Sequence, residues 1–129
     1  MKYRKCKYVL DSPAFFHNVW DTEPGEVIDT QYISLSERCL LLRTGFTWDG
    51  ASGPAVDTPA FMQAALVHDA LYWLHRMGLL DDRKQADQVM RKLCLENGMS
   101  KIRAAYAYHA VRLFGGRAAR PTAETLHIL

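Results

Sequence analysis

One segment constrains the fold more than any other: the run from Pro59 to Met77 predicts a helix that is apolar on almost every side. At about 100° per residue its apolar side chains fall on three separate faces. These faces hold Phe61, Ala65 and Tyr72; Val67, Leu71 and Leu74; and Leu66 and Trp73. Asp57 or Thr58 can cap the helix and Gly78 can stop it. We expect such a helix to be central and buried.

Two adjacent polar residues, His68 and Asp69, interrupt the apolar surface in the middle of this helix. His68 projects from the middle of the face that carries Tyr72, and Asp69 lies about a right angle away. Burying an unpaired carboxylate costs several kcal/mol or shifts its pKa until it is neutral. Asp69 therefore requires a cation, a metal ion or several N–H donors.

The rest of the chain predicts strands before this helix and helices after it. Residues 2–10 alternate in polarity as a strand does, and Tyr32–Leu35 and Cys39–Leu42 resemble a hairpin. The second hairpin run lacks polar alternation, which predicts a strand covered on both faces. Two further helices are expected, from Asp81 or Asp82 to Asn97-Gly98 and from Ser100 to Gly115-Gly116. The fold class is therefore α+β: a small antiparallel sheet of three or so strands packed against a bundle of three helices.

Size and composition fit one ordinary domain. The 129 residues, with 49% hydrophobic and 23% charged residues, predict a single domain. Its parts are a strand-rich segment (1–44), a Gly-rich loop (45–56), a three-helix segment (57–116) and a loosely held tail (117–129). A net charge of +2 gives no basis for nucleic-acid binding. We interpret the basic residues near both ends as solvated termini, with phosphate binding as the alternative: Lys2, Arg4, Lys5, Lys7, Arg112, Arg117 and Arg120.

Cysteine usage and hydropathy predict a cytoplasmic protein. Cys6, Cys39 and Cys94 are odd in number and widely spaced, which is typical of a reducing compartment, and we expect each in the core. No apolar run approaches the ~20 residues that a transmembrane helix requires. The N-terminal apolar run is also too short for a signal peptide.

The first candidate site combines His68 and Asp69 with Asp87 on the second helix. The second helix should run antiparallel to the first, with Asp87 at the edge of its buried stripe. A His68–Asp87 pair would fix the imidazole tautomer and leave the other ring nitrogen as a base for water. The alternative is structural: Asp87 would form a surface ion pair with Arg83 and Arg91, and His68 would bond a backbone carbonyl.

The second candidate site is the loop GFTWDGASGP, from Gly45 to Pro54. Its glycines allow backbone groups to converge on an ion, and Asp49 adds a carboxylate. With Asp69 this would form an oxygen-rich site suited to Ca²⁺ or Mg²⁺. The alternative is a tight turn in which Asp49 bonds its own backbone.

In order, GFTWDGASGP, ALVHDALYWLHRMG, DRKQADQVM and VRLFGG resemble an uncharacterised family of phage and prophage proteins, domain of unknown function 1353. The resemblance covers Gly45 to Gly116. It implies a phage or prophage origin in a bacterial host cell and an α+β layout, and it implies no activity.

A second resemblance is to secreted calcium-dependent phospholipases and their disulfide-free relatives in parvovirus capsids. It rests on the Gly-rich loop, His-Asp-x-x-Tyr on a helix and Ala-Asp on the next helix. It implies that His68 activates water, that Asp87 orients His68 and that Tyr72 supports this arrangement. Asp69 would bind Ca²⁺ with a loop that includes Gly50 and Gly53. The spacing of these glycines and the additional Asp49 depart from the family's pattern.

These observations favour a metal-assisted hydrolase of esters, phosphoesters or lipids. The alternative is a non-catalytic phage accessory protein, acting in morphogenesis or on a host protein or ligand, in which the His-Asp-Tyr cluster is structural. Phe15, Phe16 and Trp20 would be its contact patch unless they are buried in the core. A third hypothesis is a His-Asp metal phosphohydrolase that recruits His17.

Overall fold

The computed structural model describes residues 8–48 and 59–118. The chain divides into two compact units, residues 1–49 and 50–129, and each is described by itself below. Strands occupy the first unit and helices the second, so the predicted α+β class is confirmed. The prediction of one domain over residues 1–129 stays a prediction.

The described part of the first unit contains two antiparallel sheets. The larger has the strand order β2-β5-β4-β3, and the smaller pairs β1 with β6. The predicted strand over residues 2–10 is present from Tyr8, and residues 2–7 lie outside the described ranges. The strands are β1 (Tyr8–Val9), β2 (Ala14–Phe16), β3 (Val27–Asp29), β4 (Ile33–Ser36), β5 (Cys39–Leu42) and β6 (Thr47–Trp48).

The predicted hairpin is confirmed as β4–β5, with Ser36 opposite Cys39. Glu37 and Arg38 form its two-residue turn with φ of 50° and 65°, as a type I′ turn requires. The expectation that β5 is covered on both faces is wrong. Leu40 and Leu42 are fully buried, whereas the residues between and before them are half-buried. The alternation follows from antiparallel pairing, in which one face of the sheet supplies the core.

The second unit contains three helices: α1 (Pro59–Arg76), α2 (Arg83–Glu96) and α3 (Lys101–Ala118). Helix α1 is buried on nearly every side, as predicted. Gly78 follows it with a φ of 77°, which favours glycine, and the predicted caps Asp57 and Thr58 lie outside the described residues. The side chains of Asp82 and Ser100 accept backbone N–H bonds at the starts of α2 and α3.

The predicted end of α3 at Gly115-Gly116 is wrong, because the helix continues to Ala118. A glycine inside a helix costs about 1 kcal/mol relative to alanine, so Gly115 requires a reason. A Cβ at Gly115 would lie 2.5 Å from the Tyr72 hydroxyl oxygen. The glycine therefore allows α3 to approach α1 closely.

An apolar cluster joins the three helices near the start of α1, where Phe61 packs with Cys94. Further along α1, His68 meets Asp87, seven residues earlier on α2 than Cys94. This order confirms that α1 and α2 run antiparallel. The cluster, hereafter the apolar end, consists of Phe61, Ala64, Ala65, Met90, Cys94, Ala104 and Ala107.

The cysteines differ in their surroundings. Cys94 is fully buried in the apolar end, as predicted, and burial raises the pKa of its thiol to about 11. Cys39 is half-buried with its Sγ 3.7 Å from His17 Nδ1, so its predicted place in the core is wrong. Cys6 lies outside the described residues. In the described ranges, no helix is both long enough and apolar enough to cross a membrane.

Candidate active site

Asp87 occupies the centre of the second unit's polar contacts. Its side chain is fully buried, and at about 100° per residue it lies at one border of the buried stripe that Ala86, Met90 and Cys94 form on α2, as predicted. Val89 and Leu93, two apolar residues of the same helix, are only half-buried. A carboxylate in this position is tolerated only when donors surround it.

Both carboxylate oxygens of Asp87 have donors. Oδ1 accepts hydrogen bonds from His68 Nε2 at 2.7 Å and from the Tyr72 hydroxyl at 2.6 Å. Oδ2 accepts one from Arg112 Nη1 at 2.8 Å, and Arg83 Nη1 lies 3.6 Å from the same oxygen. The predicted group of His68, Tyr72 and Asp87 is therefore brought together. We call Asp87, His68, Tyr72, Arg83 and Arg112 the polar end of the unit.

The arginines correct two expectations. Arg112, interpreted from the sequence as part of a solvated terminus, is instead bound to Asp87. The alternative in which Asp87 forms a surface ion pair with Arg83 and Arg91 is also wrong: Arg83 contacts Asp87 in the interior, and Arg91 lies over the Tyr108 ring. The Arg83 guanidinium further donates to the Tyr72 hydroxyl and to the Val111 carbonyl, which ties α2 to both neighbouring helices.

These contacts shift three pKa values. Burial is the strongest influence on Asp87 and raises its pKa, but the hydrogen bonds from His68, Tyr72 and Arg112 together outweigh it and hold that pKa below its ordinary value. Burial, followed by the bond to Asp87, raises the pKa of Tyr72 well above its usual range. The bond to Asp87 raises the pKa of Arg112. Asp87 is therefore an ionised acceptor, and Tyr72 keeps its proton.

The ionisation of Asp87 fixes the imidazole of His68. A carboxylate accepts hydrogen bonds and cannot donate them, so His68 Nε2 must carry the proton of the 2.7 Å bond. The other ring nitrogen, Nδ1, lies 4.0 Å from Asp69 Oδ1. In the neutral ring Nδ1 is then the acceptor, which is the orientation that proton abstraction from water requires.

The predicted metal ligands are only partly within the described residues. Asp69 lies beside His68, with its side chain 28% exposed, whereas Asp49, Gly50 and Gly53 fall outside the described ranges. Among the residues described, no group of three His, Cys, Asp or Glu side chains could hold a metal ion. The described residues thus supply one carboxylate of the predicted site.

The roles of two residues at the polar end were missed from the sequence: Arg112, which belongs to it, and Gly115, which packs against it. Gly115 was interpreted only as a helix stop, although its lack of a side chain admits the Tyr72 hydroxyl and Arg83 Nη1. Arg112 falls within the helix expected from Ser100 to Gly115-Gly116, one turn after Tyr108, so the sequence indicates its place on a helix but not its partner Asp87.

With this geometry established, comparison with known proteins adds a family. The family model described as "Protein of unknown function (DUF1353)" matches residues 27–111, about two thirds of the chain. The chain belongs to the DUF1353 family. A search of curated proteins found no match, and neither did a search of solved structures. The matched residues include the strands β3 to β6 and every member of the polar end except Arg112, which directly follows the last matched residue.

Other predicted contact residues of this DUF1353 member lie in its first unit. Phe15 is 55% exposed and stacks edge-on against His17, whereas Trp20 is buried and Phe16 is half-buried. The prediction of a contact patch of all three aromatic residues is therefore wrong, whereas the expected core burial is confirmed for Trp20. His17 contacts Phe15 and Cys39.

Proposed function

We propose that this DUF1353 member is a hydrolase of esters or phosphoesters in which His68 is the general base. The observation that carries the proposal is the 2.7 Å hydrogen bond from His68 Nε2 to the buried carboxylate of Asp87. This bond holds the ring, fixes its tautomer and stabilises the imidazolium that forms when Nδ1 takes a proton. The proposal includes a phage or prophage origin, a place in the bacterial cytoplasm and a likeness to calcium-dependent phospholipases.

In the proposed reaction, His68 is both the group that accepts the proton of water and the group that returns it to the leaving oxygen. His68 Nδ1 takes a proton from water as the water oxygen bonds to the carbonyl carbon or the phosphorus. The bond to the leaving oxygen then breaks, and Nδ1 returns the proton to that oxygen. Tyr72 keeps its proton and donates to Asp87 throughout, because its pKa is raised. Tyr72 is therefore a positioning residue.

A cation near Asp69 completes the proposal. Asp69 would supply a carboxylate to Ca²⁺ or Mg²⁺, with Asp49 and the backbone of Gly50 and Gly53 as its partners. When bound, such a cation supplies charge stabilisation to the oxygen that becomes negative. Titration of Ca²⁺ should raise the melting temperature of the wild type and leave that of Asp69→Asn unchanged. An equal rise in both proteins contradicts a role for Asp69.

The catalytic proposal is tested with a p-nitrophenyl ester, a bis(p-nitrophenyl) phosphate and a fluorescent lipid ester. His68→Ala should lower turnover by about 10²–10⁴-fold, the usual contribution of a general base. His17→Ala, an exposed histidine of the first unit, is the matched control and should keep full activity. Equal turnover in wild type and His68→Ala, or none in wild type, contradicts the proposal. Loss of turnover in both His17→Ala and His68→Ala favours the His-Asp phosphohydrolase.

A second candidate function is favoured by the two arginines. Arg83 and Arg112 place two positive charges beside one carboxylate, which reduces the stabilisation that Asp87 offers to a protonated His68. An arrangement of this kind suits a structural network in a non-catalytic accessory protein that binds a phage or host partner. This function predicts that His68→Ala and Asp87→Asn, where folded, keep full biological activity.

A further inference from the structure

Helix α3 presents an apolar stripe to solvent, on the side opposite its buried Ala104 and Ala107. Ile102 is 84% exposed, Tyr106 58% and Leu113 77%, and His109 is also exposed. Their spacing of four, three and four residues places all four side chains on one side of the helix. We call these four residues the α3 seam. They follow one another over about 16 Å of helix.

The α3 seam is narrow. At about 100° per residue its four members fall within about 60° of one another around the helix axis. A face that packs on a core is at least about 100° wide, whereas a strip of this width is typical of the seam between two paired helices. The polar ring of His109 in the middle of the strip is also unsuited to hydrocarbon.

Cations border the seam, and α3 contains no acidic residue. Lys101 and Arg103 lie about 100° to either side of Ile102 and are exposed. Within residues 8–48 and 59–118 neither forms an ion pair with an acidic side chain. A second copy of α3 in parallel would bring Lys101 and Arg103 against their own counterparts, whereas an acidic helix would pair with them.

We propose that the α3 seam docks an amphipathic helix of a partner protein, with leucine-type residues in its own seam and glutamate or aspartate beside them. Apolar burial against Ile102, Tyr106 and Leu113 supplies affinity, and the flanking cations select an acidic partner. This surface is independent of the proposed hydrolytic chemistry.

The probe is a synthetic peptide of three heptads with Leu at positions a and d and Glu at e and g. Such a peptide repels itself, so its helicity on addition of the protein reports binding. Ile102→Glu and Leu113→Glu should each weaken binding at least about tenfold, through lost apolar contact and charge repulsion. Leu79→Glu, an apolar residue 43% exposed outside the seam, is the matched control and should bind as the wild type does.

Circular dichroism of each variant confirms that it is folded, since both seam positions are highly exposed. A peptide with Lys in place of Glu should not bind, and added salt should weaken the acidic complex. Equal binding of both peptides, or binding unaffected by Ile102→Glu and Leu113→Glu, overturns the proposal. The proposal is also overturned if the wild-type protein pellets with phosphatidylglycerol vesicles and both variants lose this binding, because the seam would then bind a lipid surface. A dimer in solution that Ile102→Glu dissociates overturns it in favour of a second copy.

Discussion

The same three helices are joined in two different ways at the two ends of the second unit. At the apolar end, Phe61 packs with Met90, Cys94 and small residues of α3, and the contacts have no fixed direction. At the polar end, one buried carboxylate accepts hydrogen bonds from α1 and α3 and forms an ion pair with Arg83 of α2. Apolar packing tolerates exchange of similar volumes, whereas a buried carboxylate specifies each partner by atom. Both ends therefore stabilise the unit, but only the polar end specifies which atoms of the three helices must meet.

Asp87→Ala should have the largest effect, because it leaves two guanidinium groups and an imidazole without their shared acceptor. We expect a loss of about 3–5 kcal/mol in the free energy of unfolding, as for other broken buried ion pairs. Urea unfolding measures it, with the exposed Asp81→Ala as the matched control. A loss below about 1 kcal/mol would show that the polar end is dispensable for stability.

Met90→Ala tests the apolar end. Met90 is 1% exposed, and truncation of such a side chain leaves a cavity that costs about 2–5 kcal/mol. The half-buried Met99 is not a suitable comparison, since it packs against the same cluster. The half-buried Met62 on α1 is the better comparison, and its truncation should cost less. Equal losses at both positions, again from urea unfolding, would contradict the assignment of Met90 to the core.

Lowering the pH should reduce the stability contribution of the polar end and leave that of the apolar end unchanged. The folded-state pKa of Asp87 is lowered, so its contribution to stability is complete above the ordinary value of 3.8 and is lost as the pH falls below it. The difference in unfolding free energy between wild type and Asp87→Asn should therefore shrink below about pH 4. The corresponding difference for Met90→Ala should stay constant, because no charge changes. Parallel behaviour of both variants would contradict the ionised state of Asp87.

Gly115→Ala should have the smallest effect and the most specific one. A helical Gly→Ala change normally stabilises by up to about 1 kcal/mol. Here the new Cβ would meet the Tyr72 hydroxyl at 2.5 Å, so we expect a loss of about 1–3 kcal/mol. In a Tyr72→Phe background that oxygen is absent, and the loss should diminish. Additive effects of the two changes in a double-mutant cycle would contradict the contact.

The sequence predicts much of this architecture where local chemistry decides it. The all-round apolar pattern places α1 in the interior, and Asp82 and Ser100 cap the next two helices where expected. The His68–Asp87 contact is also predictable, because a short connection makes α1 and α2 antiparallel neighbours.

Arg112 and Gly115 could not be placed in the same way. Arg112 is 25 residues from Asp87, and the only local signal at Gly115 was one that usually ends a helix. What a buried carboxylate requires from a distant helix depends on tertiary packing. Propensity therefore gives way to packing at Gly115, where the approach to Tyr72 outweighs the cost of a helical glycine.

The most direct test of the central claim, that Asp87 holds His68 as a base for water, is the tautomeric state of His68. ¹⁵N-labelled histidine, observed by NMR at pH 8.5, assigns the proton to one ring nitrogen. We predict a protonated Nε2 and an unprotonated Nδ1, with the Nε2 proton shifted downfield and lost from that position in Asp87→Asn. A proton on Nδ1, or a His68 spectrum unchanged by Asp87→Asn, would contradict the claim.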